Sequence, residues 1–435
     1  MAQYALMRTA VASWDPVAIA RHLFPLMLRN VSSDGFVFTD PTDPNRFSAP
    51  GCVIASPSFD RNLSSLRQDY VYNWTRDAAV TAIEIAAIDN PAAGVLDDYV
   101  SFADRCQRGA PTVARGCYTI EGEPRDWTDQ NDGPALQVLA ILRSFGQLDP
   151  STHDTARAVV QRNLDFLLAN YRQPSHNLWE ETRGQSFFTR SVQLRCLSEF
   201  SRNDVGFAVP AGVDEAISWL DTSLQTHWNG QYYVSIMEAE SPRSGYDPNI
   251  DIVMACIYGA TACTDPRLLA TAAQLRQQWS DPDSDVHYPV NLSDADQQVG
   301  PLLGRYPGDV YDGDNNDSGT DHPWALSTAN FAELYFGVAA AIELSGRVPI
   351  NELSSQFFAQ VGIDGQNSAA EATQRLVGAG DRMLQAIIYH SDHLELSEQF
   401  DGATGYEKSV RNLSWSYGAV LSAVRARAAA TGSSA

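Results

Sequence analysis

Lysine is almost missing from this chain: Lys408 stands alone among basic residues that are otherwise arginine. That is a pattern of coding bias rather than of mechanism. Positive charge is scarce altogether. The formal net charge of −23 repels phosphates and anionic lipid, so no nucleic acid or membrane partner is expected, and a neutral or cationic ligand is the electrostatic default. Cysteine is sparse, and positions 52, 106, 117, 196, 256 and 263 contain no CxxC pair, which removes support for zinc or thioredoxin chemistry. Cys106 with Cys117 and Cys256 with Cys263 are candidate disulfides, with buried free thiols at least as good a reading. No charged-then-apolar leader opens the chain, since "LFPLML" is short and embedded in a helical pattern. No segment reads as a bilayer span. Compartment stays open between secretion, with a leader absent here, and the cytoplasm. The sequons at Asn30 and Asn291 matter only on a eukaryotic secretory route.

What is present is helical periodicity. In "DPVAIARHLFPLMLRN" Asp15 serves as a cap, Pro16 suits the first turn, and apolar residues follow at three and four spacing. Similar stretches run through Thr75–Ile88, Gly133–Phe145, Ser151–Tyr171, Phe187–Phe200, Val213–His227, Asp251–Ala262, Pro266–Trp279, Ala325–Leu344, Ser368–Ile388 and Asn412–Ala430. Between them lie long loops rich in Gly, Pro, Asp and aromatics: 32–74, 111–132, 172–186, 229–250, 281–324 and 390–411. Loops beyond about 15 residues are uncommon in compact domains unless they serve a function. "GQYYVSI" reads as a short strand pair. With no Pro/Ser-rich linker, residues 1–430 are expected to form one all-α domain with its chemistry gathered at one end. Residues 431–435 are expected to be a flexible tail, and the chain a monomer.

One stretch concentrates acid chemistry. "NLWEETRGQSFF" sets Glu180 and Glu181 after Trp179, which looks exposed, with no lysine nearby. Two carboxyl groups flanking a sugar linkage suffice to hydrolyse it, but sequence neighbours point in different directions, so a partner acid must come from elsewhere. "LELSEQFDGATG" supplies Glu398. Taken alone, "EE" reads more readily as a solvated surface pair.

The chain resembles the glucoamylases, the family 15 glycoside hydrolases, in several blocks that occur in order. They are "VIASPS" (53–58), "DYVYNWTRDAAV" (69–80), "DGPALQ" (132–137), "NLWEETRGQSFFTRSVQ" (177–193), "GRYPGDVY" (304–311), "PWALST" (323–328), "SEQFDGATG" (397–405) and "RNLSWSYGAVL" (411–421). The resemblance implies an (α/α)6 barrel of six inner and six outer helices. It also implies an inverting exo-hydrolase that takes glucose from non-reducing ends of starch-type α-glucans, with no cofactor and no metal. Glu180 then matches the general acid, Glu398 the general base, and Glu181 a contact to the sugar on the leaving side. Arg76 and Asp77 match groups that hold the 4- and 6-hydroxyls of the terminal sugar, walled by Trp74 and Tyr70. Arg305 with Asp309, Trp324, Trp179 and Trp415 match further substrate contacts.

Chemistry adds its own expectations. The acid needs a raised pKa, which a negative neighbour and burial against Trp179 promote for Glu180, while Glu398 must stay ionised. Ser409 is expected to hydrogen-bond Glu398, and Arg411 to fix its surroundings. For Arg76 and Asp77 the plain alternative is a helix start capped by Thr75; for Arg305 it is a surface salt bridge, and for Trp324 core packing.

Three details depart from the family pattern. Trp127, the natural shield of the acid, lies one residue too close to "DGPAL"; Phe400 stands where a tyrosine commonly follows the base; and the insert "DGDNNDSGTD" (312–321) is long. That insert has calcium-friendly oxygens but lacks the glycine and closing glutamate of an EF-hand loop, so an acidic solvated turn is the reading. His390, His393 and Glu395 do not form a firm zinc pattern. The alternatives are a family relative acting on α-1,6-glucan, isomaltose-type oligosaccharides or trehalose, and, from another class, a non-catalytic carbohydrate-binding protein on the same barrel. With no starch-binding module recognisable after residue 430, soluble oligosaccharides are expected to be preferred over granules.

Overall fold

The computed structural model describes residues 14–33, 37–40, 43–57, 70–88, 94–313 and 321–432. Among these, six helices close a ring: α2 (Thr75–Ala86), α4 (Gly133–Ser144), α6 (Phe187–Phe200), α8 (Asp251–Ile257), α11 (Ala325–Ser345) and α14 (Ser414–Thr431). Each packs on the next, and α14 returns to α2. Six more lie outside: α1 (Pro16–Leu28) on α14, α3 (Val95–Gly109) and α5 (His153–Asn170) on α2 and α4, α7 (Val213–Gln225) on α6, α9 (Pro266–Ser280) on α8, and α13 (Ala369–His390) on α11 and α14. Short helices α10 (Pro289–Asp296) and α12 (Ser355–Ala359) sit in the connections. This is the (α/α)6 barrel.

The amino-acid pattern explains which helix goes where. Inner helices have no polar face to give to water: α2 is buried at every position from Thr75 to Ile85, and α11 is built from Ala, Leu, Phe and Val with little charge. Outer helices carry one apolar stripe, such as Leu96, Tyr99, Val100, Ala103 and Cys106 on α3. Because inner and outer helices alternate along the chain, the inner six run the same way. Their N-termini, and the long loops that lead into them, meet at one end of the ring.

Local signals set the helix ends. Asp15 accepts from the Ala18 N–H at 3.0 Å with Pro16 in the first turn, and Ser368 with Glu371 forms a reciprocal capping box on α13. The predicted span 251–262 is cut short at Ile257. There Ser191 of α6 accepts from the Ala260 and Thr261 N–H groups at 2.9 and 3.2 Å, and Gly259 lies so close that a Cβ would stand 2.3 Å from the Ser191 hydroxyl. Helix α3 was not expected at all.

Small antiparallel ladders tie the loops together: Asn73–Trp74 with Cys117–Tyr118, Ser175–His176 with Arg183–Ser186, Arg183–Ser186 with Ile236–Met237, and Gln399–Phe400 with Glu407–Lys408. "GQYYVSI" is therefore not a hairpin of its own. Tyr233 bridges to Trp228, while Ile236 and Met237 join the strand after Glu181.

Four further expectations change. All six cysteines are free, so neither candidate disulfide is formed. By length and composition α11 would pass as a membrane span, but 78% of that window is buried inside the ring, which is where its apolarity goes. Asn30 and Asn291 are buried and hydrogen-bonded through their side-chain amides, Asn30 to Asn412 and Ser414, Asn291 to Trp279 and Leu302. Helix α14 reaches Thr431, one residue into the expected tail, and 433–435 lie outside the described residues.

Candidate active site

A cavity of about 390 Å³ opens where the inner-helix N-termini converge, within the size range of small-ligand sites. Tyr70, Trp74, Arg76, Asp77, Trp127, Trp179, Glu180, Glu181, Arg305, Trp324, Glu398 and Trp415 all line it, as does Tyr311. Of the candidate residues only Asp309, Ser409 and Arg411 stand outside its wall.

Glu180 enters from the loop before α6. Asn177, fully buried, organises that turn: its carbonyl accepts from the Glu180 N–H at 3.0 Å, and its side-chain oxygen accepts from the N–H groups of Glu181 and Thr182 at 2.9 and 3.3 Å. Glu180 itself has a left-handed backbone, φ +63°, a conformation that costs a non-glycine residue about 1–3 kcal/mol and persists where the surroundings over-determine it. The turn sends the two neighbouring acids to different partners. Glu180 receives the Trp127 indole N–H and lies 3.4 Å from Arg76. Glu181 Oε1 receives Arg305 at 3.1 Å, Arg243 at 3.1 Å and the Tyr306 hydroxyl at 2.7 Å. The negative neighbour expected to act on Glu180 is thus largely compensated by its own donors. Trp179 is 8% exposed, contrary to its exposed look. Its indole donates to Asn249 at 3.0 Å and its ring lies 5.7 Å from Trp324.

Glu398 comes from the opposite side, on the loop before α14. It is buried and accepts from Ser409 at 2.5 Å and from the Tyr70 hydroxyl at 2.9 Å. Tyr70 in turn shares a 2.5 Å hydrogen bond with Tyr311. Burial pushes the Glu398 carboxyl up to about 7, against the pull of Ser409, Tyr70 and Arg305. The expectation of a firmly ionised Glu398 is therefore corrected: desolvation outweighs the hydrogen bonds, and the group titrates near neutrality. Phe400 is fully buried beside His390 and does not line the cavity.

The two arginines are held rigidly. Arg305 is buried and forks onto Asp309 at 2.7 and 2.6 Å, with the rings of Trp179, Tyr306, Tyr311 and Trp324 all within 5.4 Å of the guanidinium. Asp309 is thus corrected from a substrate contact to the anchor behind Arg305. Arg76 bonds Gln130 and Asp132, both at 3.1 Å, and packs over Trp415 at 4.9 Å. Asp77 sits in the first turn of α2, its carboxyl raised to about 6 mainly by burial. Arg411 is corrected too: its guanidinium pairs with Asp392 and Glu407 on the outer side of the hairpin.

Three of the lining residues have a buried polar atom with no hydrogen-bond partner among the described residues: Arg76 Nε, Glu181 Oε2 and Trp324 Nε1. Donors and acceptors alternating with indole faces suit a polyhydroxylated, uncharged ring. Four carboxyls against two guanidiniums line the space, which also favours positive charge developing on a bound ring.

The decoys disperse. His390 pairs with Asp294 at 3.0 Å, His393 with Asp392, and Glu395 with Arg29 at 3.2 Å. Positions 314–320 of the acidic insert lie outside the described residues; Asp312 pairs with Lys408 and Asp321 accepts from Trp279. Sequence reasoning missed Asn177, Asp132 and Tyr311 although each lies inside a block it quoted. Nothing in a block separates the residue that touches the cavity from the one that holds it.

The family model described as Glycosyl hydrolases family 15 matches residues 26–425. The probable glucoamylase of Schizosaccharomyces pombe is 27% identical, over 94% of this chain and 90% of its own length. Glucoamylase GLA1 of Saccharomycopsis fibuligera is also 27% identical, over 92% and 87%. In fold, the chain is similar to the solved glucoamylase from Saccharomycopsis fibuligera, with a TM-score of 0.81, 23% identity, and coverage of 98% and 97% of the two chains.

Proposed function

Because the chain belongs to the family 15 glycosyl hydrolases, and is thus a glycoside hydrolase, we propose that it acts as an inverting exo-glucosidase on α-1,4-linked glucans. The reading takes 1–430 as one catalytic barrel. Glu180 protonates the glycosidic oxygen, and Glu398 takes a proton from the water that attacks the anomeric carbon on the opposite face. The sugar leaves as β-D-glucose, with no metal or cofactor in any step. The observation that carries this reading is that two acids from distant loops line one cavity together with the arginines and indoles a sugar needs.

Each wall has a part. Arg76 and Asp77 hold the outer hydroxyls of the terminal sugar, against Trp74, Trp415 and Tyr70. Arg305 also binds the terminal sugar, Glu181 holds the sugar across the bond, and Trp179 and Trp324 line the site. Trp127, 38% exposed at the rim, shields the acid while donating to it. For an inverting reaction the two carboxyls should stand about 6.5–9.5 Å apart to admit the water. Relatives named glucoamylase support a starch-type substrate.

The test is the first-formed product. Proton NMR of glucose released from soluble starch, where reducing-end glucose is negligible, should show β-glucose appearing first and mutarotating later; α-glucose as the first-formed product would sink the inverting mechanism. A panel of maltose, isomaltose, trehalose and soluble starch should show the highest kcat/KM on α-1,4 substrates.

A pH prediction follows from Glu398. A base works only when ionised, so with its carboxyl at about 7 activity is present above that pH and lost as pH falls through it. Ser409 donates to the ionised form and holds the value down. Ser409→Ala should therefore move the acid limb of kcat/KM to higher pH, by about one unit for a lost charged hydrogen bond. An unmoved limb would show that the limb does not report Glu398.

A further inference from the structure

The single lysine of the chain is not a surface charge. Lys408 lies on the strand paired with Gln399–Phe400, directly across from Gln399, and its side chain is 15% exposed. Its ammonium meets Asp312 at 3.1 Å, and the Asp312 side chain is 1% exposed. Each partner is next in sequence to a residue beside Glu398. After Lys408 comes Ser409, which donates to Glu398, and whose own backbone is left-handed at φ +62°. After Asp312 comes Gly313, which lines the cavity so tightly that a Cβ there would lie 1.8 Å from the Ser409 hydroxyl and 3.1 Å from Glu398 Oε2.

Two more bonds run between the same strands. Gln399 accepts from the Gly313 N–H at 3.2 Å and donates to the Tyr311 carbonyl at 3.1 Å. The segment 311–313 is therefore laced to the hairpin that carries Glu398, and the Lys408–Asp312 pair is the ionic lace among the described residues. A largely covered ion pair is a poor source of stability, because desolvation cancels much of its attraction, and in some proteins such pairs are retained because they fix relative position.

Resting on the reading of Glu398 as base, we propose that the Lys408–Asp312 pair is a positioning clamp that holds Ser409 and Gly313 against Glu398, so that base and water keep their reactive geometry. Neither residue touches substrate. The clamp acts on the reaction through Ser409 and Gly313. The groups that act most strongly on Glu398 are Ser409, Tyr70, Arg305 and Asp77, and Tyr311 also faces it.

The test is Lys408→Met against Lys408→Arg, with Asp312→Asn as the second way to open the clamp should the first fail to fold. Misplacement of reacting groups by around an ångström costs up to about 10²-fold in rate. Lys408→Met and Asp312→Asn should lose about 10- to 100-fold in kcat on maltose, with KM within about twofold and the acid limb of the pH profile moved upward as Ser409 loosens. Lys408→Arg, which keeps the charge, should restore most of kcat. On a Ser409→Ala background Lys408→Met should shift the limb no further. Wild-type kcat and limb in a folded Lys408→Met protein would overturn the clamp, as would a change confined to thermal stability. If Glu398→Gln is inactive in the same assay while Lys408→Met is wild-type, the clamp alone fails; if Glu398→Gln turns over normally, the reading of the base fails first.

Discussion

Glu398→Gln is expected to lower kcat by about 10²–10⁴-fold, the range that a positioned general base supplies, while the affinity for malto-oligosaccharides survives. The amide is isosteric with the carboxyl and can still accept from Ser409 and Tyr70, so the cavity should keep its shape. What it loses is the capacity to take a proton from water. Added azide or formate should restore turnover in part by attacking in place of the activated water, and the product should then carry inverted configuration. Calorimetric titration measures binding and glucose release measures turnover. A variant that binds and hydrolyses at the wild-type rate removes Glu398 from the mechanism, and a wild-type protein that binds but never hydrolyses makes this barrel a carbohydrate-binding protein.

Glu180→Gln should be as costly on maltose, again about 10²–10⁴-fold in kcat, but the loss should depend on the leaving group. A sugar alcohol departs poorly unless its oxygen is protonated. Fluoride departs without that help, so α-D-glucosyl fluoride should be hydrolysed by Glu180→Gln within about tenfold of wild type and should remain a poor substrate for Glu398→Gln. The contrast between the two substrates separates acid from base, where either variant alone would show only that a carboxyl matters. Equal losses on both substrates would put Glu180 outside proton donation. Trp127 and Arg76 donate to different oxygens of the Glu180 carboxyl, Oε2 and Oε1, so the amide oxygen of Glu180→Gln should keep the Trp127 bond with its NH2 turned to the Arg76 side.

Much of the barrel was legible in the residues. Phe187–Phe200 was predicted and is observed with the same limits, because Ser186 caps it and Ser201 follows a closed final turn. The loops predicted to carry function are those that lead into inner helices. The exception is α3: Asp97, Asp98, Asp104, Arg105 and Arg108 decorate it so heavily that the apolar stripe from Leu96 to Cys106 passes unnoticed, although it follows helical spacing. Site residues were legible as a set and not as individuals. Asp309 stands in the same block as Arg305, yet its carboxylate faces the guanidinium from behind and never reaches the cavity. Lys408, set aside as an accident of coding, is largely covered between two active-site segments.

By itself the sequence determined the alternation of apolar-all-round with one-striped helices, hence an all-α ring within a ring, and the family to which the chain belongs. Both properties are local: a cap, a period and a motif are written in contiguous residues. Only the tertiary structure decided which acids share a cavity, which arginines are gripped from behind, and how far burial lifts Glu398 above an ordinary carboxyl. Those quantities depend on what surrounds a side chain in three dimensions, and the dielectric and hydrogen bonds there come from loops far apart in the chain.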